Sequence, residues 1–151
     1  MTTTYFGSVP YQPESVVEFP LGLPGFENEH RFVLIEQELN KPVVFLQSLA
    51  RPDLCFITLP VGLISGSYEL SLSGEDLGVL GLADQPGLGA DPAVVSLAVV
   101  TFTENQPPTA NLLSPIVINW RSRLGVQILP ADSPHSHRHP LFAESREAPC
   151  L

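Results

Sequence analysis

Phe19-Pro20-Leu21-Gly22-Leu23-Pro24-Gly25-Phe26-Glu27 sets two prolines and two glycines among large apolar residues. A disordered linker rarely carries that much apolar bulk, and a strand interior rarely carries that much proline. The stretch therefore reads as a rigid, ordered corner. Pro24 presets φ for the second position of a turn, and Gly25 supplies the positive φ that a type II turn needs next. Phe19, Leu21, Leu23 and Phe26 then have to be buried, in this chain's own core or against a partner. Two readings follow: an internal corner of a β-fold, or a corner with part of its surface kept open as a docking edge.

Around this corner the chain reads as short strands. Ahead of it, Tyr5 to Phe19 reads as an extended entry with a strand near its end, where Val17 and Phe19 share a face at period two. Behind it come Phe32–Ile35, Val43–Leu46 and Leu54–Ile57, rich in β-branched and aromatic residues and spaced about ten residues apart, as in a meander. These runs are apolar on both faces, which suggests a sheet covered on both sides or a closed barrel. Val61 to Ser67 reads as a loop carrying apolar residues. Tyr68–Ser73 alternates like a half-buried antiparallel strand. Ser73 caps one short helix whose first turn is acidic and whose buried stripe is Leu77, Leu80 and Leu82. Residues 84–92 form a glycine- and proline-rich loop. Val94–Phe102 is the longest β-like run, followed by Ile116–Trp120 and a last strand at Gly125–Leu129. The expected fold is all-β: an antiparallel barrel or roll of about eight short strands with one short helix. One domain is expected over residues 1–143, with a mobile tail over 144–151.

Charge narrows the function classes. The chain of 151 residues has 16 acidic and 7 basic residues, a formal net charge of −9. Phosphate contacts need Lys and Arg, so neither direct nucleic-acid binding nor attachment to an anionic membrane is expected. Basic partners are favoured. Cys55 and Cys150 give no disulfide framework, which fits a reducing compartment. Met1–Phe6 lacks a basic segment followed by an apolar one, so no signal peptide is read, and a cytoplasmic location is expected.

Chemistry-bearing patterns are few. No nucleophile elbow, Walker loop or dinucleotide fingerprint occurs. His135, His137 and His139 share a face if extended, where three imidazoles could meet Zn²⁺ or Ni²⁺. The sequence places no fourth ligand or activating carboxylate beside them, and the expectation is no cofactor, no metal and no enzymatic activity. A metal-dependent enzyme built on these histidines and a β-barrel module for a small ligand are the alternative readings.

Two long motifs carry a resemblance. Phe19–Glu27 together with Asn111-Leu112-Leu113-Ser114-Pro115-Ile116-Val117-Ile118-Asn119 resembles the FliW family of flagellar assembly factors. Leu46-Gln47-Ser48, Tyr68 and Gly125-Val126-Gln127 agree with it, and the likeness runs from Tyr5 to Leu141. The resemblance implies a non-enzymatic β-barrel that binds newly made flagellin in the cytoplasm. When free, such a protein binds the translational repressor CsrA and relieves its block on flagellin synthesis. Flagellin's unassembled terminal segments need an apolar surface to dock on. That surface is expected at Leu23, Pro24 and Phe26, at Leu63 and Ile64 with Tyr68, and on the turn from Asn111 to Pro115. Asn111 and Asn119 are expected to satisfy backbone groups at the two ends of their motif.

Overall fold

A computed structural model describes residues 1–66, 68, 72–82, 92–129 and 136–141. The strands in chain order are β1 (Thr2–Thr3), β2 (Gly7–Ser8), β3 (Val16–Glu18), β4 (Arg31–Ile35), β5 (Val44–Ser48) and β6 (Cys55–Pro60). After them come β7 (Val94–Thr101), β8 (Thr109–Ala110), β9 (Ile116–Asn119), β10 (Leu124–Gln127) and β11 (His139–Pro140). The helices are the single turn α1 (Val61–Ile64) and α2 (Gly74–Leu80). Strands β7-β6-β5-β4-β3-β10-β9 are hydrogen-bonded in that order, and β9 pairs back onto β7, closing a seven-stranded barrel. Strands β8 and β11 extend one end of β7 as a flap, and β1–β2 is a separate hairpin.

Period-two alternation explains the packing. Val17, Phe19, Phe32, Leu46, Leu97, Ile116 and Ile118 point into the barrel and fill it. Each such side chain contributes roughly 1.5–3 kcal/mol by leaving water. The opposite faces are covered too. Val117 and Val126 lie under Leu80 of α2, with Leu82 and Ile128. Ala98 and Ala110 lie under Val61, with Leu112. Runs that read as apolar on both faces are so because the barrel closes on one side and helices or loops cover the other.

Helix α2 starts as expected. Ser73 Oγ accepts the Asp76 N–H at 3.1 Å, and the Asp76 carboxylate accepts the Ser73 N–H at 3.3 Å. Gly81 ends it at φ +73°, so Leu82 is buried beyond the helix rather than on its stripe.

Four expectations change. The segment after Pro60 is not wholly loop: Val61–Ile64 makes a helical turn, closed by the Ser65 N–H on Val61 O and held by burial of Val61. The barrel is not wholly antiparallel, since β3 and β10 pair in parallel at Glu18 and Leu124. Gly125–Leu129 is not the last strand, because His139 and Pro140 pair with Ala110 and Thr109. The entry segment is not simply extended: Thr2–Ser8 forms a hairpin, with Phe6 edge-on to Phe45 at 5.0 Å. These elements are two to four residues long, too short to carry a periodic signal. The residues between Tyr68 and Leu72, most of the 84–92 loop and the 144–151 tail lie outside the described residues.

Half-burial pushes the Cys55 thiol up to about 11. The thiolate is the reactive form, so at pH ~8 this side chain holds roughly a hundredth of the thiolate of an ordinary cysteine. Iodoacetamide is expected to label Cys55 slowly in the folded protein and fast in denaturant, read by peptide mass spectrometry. Equal rates would remove the burial argument.

Candidate functional site

The corner after β3 is built on two positive-φ glycines. Gly22 lies at φ +70° and Gly25 at φ +86°. The Gly22 N–H donates to Phe19 O at 2.9 Å, and Leu23 and Phe26 exchange N–H···O bonds across Pro24-Gly25. Phe19 and Leu23 are buried in the barrel. Phe26 is half-buried, edge-on to Phe56 at 5.6 Å, with the Arg51 guanidinium 5.8 Å above its ring. Pro24 is exposed, and Leu21, expected to be buried, is 56% exposed. The Gly25 N–H donates to Glu27 Oε2 at 3.0 Å and holds that carboxyl below the usual carboxylate range. The corner is therefore rigid from within and apolar outside.

The second motif is a turn over Asn111 to Pro115 that runs into β9, and an asparagine ties each end of the motif, as its sequence suggested. Asn111 Oδ1 accepts the Ser114 N–H at 2.9 Å. Asn119, buried, donates from Nδ2 to Leu80 O at 2.9 Å and accepts the Arg121 N–H at 3.1 Å. Gln127 Nε2 donates to Ser114 O at 2.9 Å. Pro115 is buried and Asn111 is half-buried.

Tyr68 joins the third expected region to this turn. Its hydroxyl donates to Leu112 O at 2.9 Å, and burial pushes the phenol up. Ile64, Tyr68 and Leu141 pack on Val61, Ala98, Ala110 and Leu112. Leu63 stands 65% exposed on α1. Ile64, Tyr68 and the Asn111 turn are thus one assembly. A cleft of about 590 Å³ lined by Pro24, Phe56, Val99, Asn111, Gln127 and His137 links that turn to the corner. Leu23 and Pro115 support these surfaces from inside.

Of the three histidines, His137 is exposed on a turn and His139 is half-buried in β11. His135 lies outside the described residues. Among the described residues, no group of three or more His, Cys, Asp or Glu is placed to hold a metal ion.

Sequence reasoning did not single out Phe102, Leu129 and Leu39, which are 63%, 70% and 97% exposed. Phe102 and Leu129 each sit just past a strand's last paired residue, directly before Thr103 and Pro130. An apolar residue overrunning a strand into a turn was the available signal. The other region missed is the barrel mouth around Trp120. No helix among the described residues is long and apolar enough to cross a membrane.

Comparison with known proteins agrees with this architecture. The family model "FliW protein" matches residues 1–141. A flagellar assembly factor FliW of Desulfitobacterium hafniense (strain Y51) is 36% identical over 144 residues, covering 95% of this chain and 91% of that one. The factor of the same name from Azoarcus sp. (strain BH72) is 36% identical over 130 residues, covering 81% and 84%. A crystal structure of the flagellar assembly factor FliW superposes with a TM-score of 0.82 at 32% identity, covering 95% of this chain and 97% of that one. With both motifs, the closed barrel and these likenesses in agreement, the chain belongs to the FliW family of flagellar assembly factors.

Proposed function

We propose that this protein binds flagellin in the cytoplasm and, when free of it, binds a CsrA-type translational repressor and relieves its block on flagellin synthesis. It does so as a binding protein, without catalysis. The observation that carries the reading is an acidic barrel, net charge −9, that leaves Leu21 and Pro24 of the first motif and Leu63 of α1 exposed, apolar surface that the fold does not use internally. The surface assigned to partners comprises Pro24 and Phe26 of the corner, Leu63, Ile64 and Tyr68, and the Asn111 turn. Leu23 and Pro115 hold it from beneath. An acidic body suits a basic RNA-binding partner in sign and speeds encounter more than it adds affinity. The apolar rim suits an unassembled segment that has buried none of its own apolar face.

The test is capture of purified flagellin and, separately, of CsrA at micromolar concentrations. No binding of either overturns the function while leaving the fold intact. Leu63→Asp removes an exposed side chain that the fold does not need. It is expected to keep the thermal midpoint and to weaken capture of flagellin by about tenfold or more, the scale of one interface anchor. Unchanged capture would remove α1 from the partner surface.

A further inference from the structure

The barrel is filled in the middle but not at one mouth. Pairing of β6 with β7 ends at Pro60 opposite Leu97, because the chain then turns into α1. Strand β7 begins three residues earlier, and Val94, Val95 and Ser96 have strand partners on β9 alone. The Trp120 N–H donates to Ala93 O at 2.9 Å. Antiparallel alternation therefore turns residues 93, 95 and 97 toward β9, and turns the backbone polar groups of Val94 and Ser96 to the other side. There the Pro60–Leu97 pairing, in which Pro60 has no N–H, takes Ser96 O for the Val61 N–H. The groups that face the mouth are therefore the Ser96 N–H and the N–H and C=O of Val94. Among the described residues that side holds α1 and no strand.

A cleft of about 660 Å³ opens there. Its apolar floor includes Leu34, Val44, Val95, Leu97 and Trp120, all of which pack on the barrel core. The opposite wall is the turn Val61–Gly66, with Tyr68. The cleft does not continue inward, since Phe19, Phe32, Leu46, Ile116 and Ile118 are fully buried and close the barrel below it. Among the described residues, the one charged residue lining it is Glu36, and no Lys or Arg lines it.

From these features we infer that the mouth is a slot for an extended polypeptide segment that adds a strand to the β7 edge. Its apolar side chains sit against Trp120 and Leu97, and basic side chains lie toward Glu36. An edge supplies backbone hydrogen bonds to any sequence, alternate pockets choose apolar residues, and charge selects a basic flank. The slot deepens the reading of the chain as a binder of other polypeptides, on which it rests, by adding a mode of binding.

Trp120 is the chain's single tryptophan, so its fluorescence reports the slot directly. The probe is a short capped peptide alternating valine and lysine, titrated into the full-length protein. A saturable shift of Trp120 emission to shorter wavelength is expected. Gly62 lines the cleft, and a Cβ built on it meets nothing within 4 Å. Gly62→Met therefore fills the slot without straining the fold, and is expected to weaken the peptide by about tenfold or more. The same peptide N-methylated at alternate residues, or carrying glutamate for lysine, is expected to weaken similarly.

No emission change at millimolar peptide overturns the slot, as does equal binding to Gly62→Met. Equal binding of the N-methylated peptide overturns strand addition, and equal binding of the glutamate peptide overturns the charge preference. Flagellin capture by the same preparation is scored separately. Its loss counts against the proposed function, whereas the titration alone decides the slot.

Discussion

Gly22→Ala is expected to destabilise the protein by roughly 2–5 kcal/mol, a large part of the stability of an ordinary domain. The first cause is backbone conformation. Gly22 sits at φ +70°, where an L-residue pays about 1–2 kcal/mol. The second is contact. A Cβ there would fall 2.5 Å from Glu27 O and 2.6 Å from Glu27 Cα. Those are backbone atoms of the same tight corner, which no rotamer change can move aside, and overpacking of this kind costs a further 1–3 kcal/mol. Gly25→Ala is the control. It lies at φ +86°, but a Cβ there meets nothing within 4 Å. Only the conformational cost of about 1–2 kcal/mol applies. Urea unfolding of both variants separates the two contributions. If Gly22→Ala costs no more than Gly25→Ala, the close approach to Glu27 is not a constraint.

The second large effect is expected at Phe19, fully buried and edge-on to Phe32 at 5.4 Å. Phe19→Ala leaves a cavity in the barrel and is expected to cost about 3–5 kcal/mol. The ring also dictates what its neighbour can be. A Cβ on Gly125 would lie 2.7 Å from both Cε2 and Cζ of Phe19. Gly125→Ala is therefore expected to cost about 1–3 kcal/mol on its own. It is expected to cost about 1 kcal/mol less when Phe19→Leu has removed those ring atoms, a coupling that residues in contact commonly show. Midpoint shifts in urea at unchanged slope measure all of these. Strict additivity would mean that the Phe19–Gly125 contact does not hold the parallel β3–β10 seam.

Much of this architecture was legible in advance, for a consistent reason. The barrel strands β4 to β7 and β9 are short runs rich in β-branched and aromatic residues and apolar on both faces, and such runs between proline- and polar-rich breaks are visible in sequence. Helix α2 announces itself through Ser73 and Asp76, because a capping box is a contact between residues three apart. The corner was readable because Pro24 and Gly25 have few other conformations to adopt. The candidate site was legible only by region. Leu23 and Phe26 stand in one motif, yet Leu23 is buried and Phe26 is partly open, since a turn sends neighbouring side chains to opposite sides. Pro115 looked like part of an exposed turn, but β10 and the Ile128 N–H on Pro115 O cover it.

By itself, the sequence determined an acidic, all-β body with a rigid proline–glycine corner and an asparagine-tied turn, and through two motifs it identified the family. Each of these rests on interactions between residues close in the chain, or on composition. Tertiary structure alone decided the parallel β3–β10 closure, the two-residue strand β11, the burial of Leu23 and Pro115, and the early end of β6–β7 pairing that opens the mouth at Trp120. Those features depend on which distant segments meet, and pairs such as Glu18 with Leu124 are chosen by the closing of the whole barrel, not by any local preference.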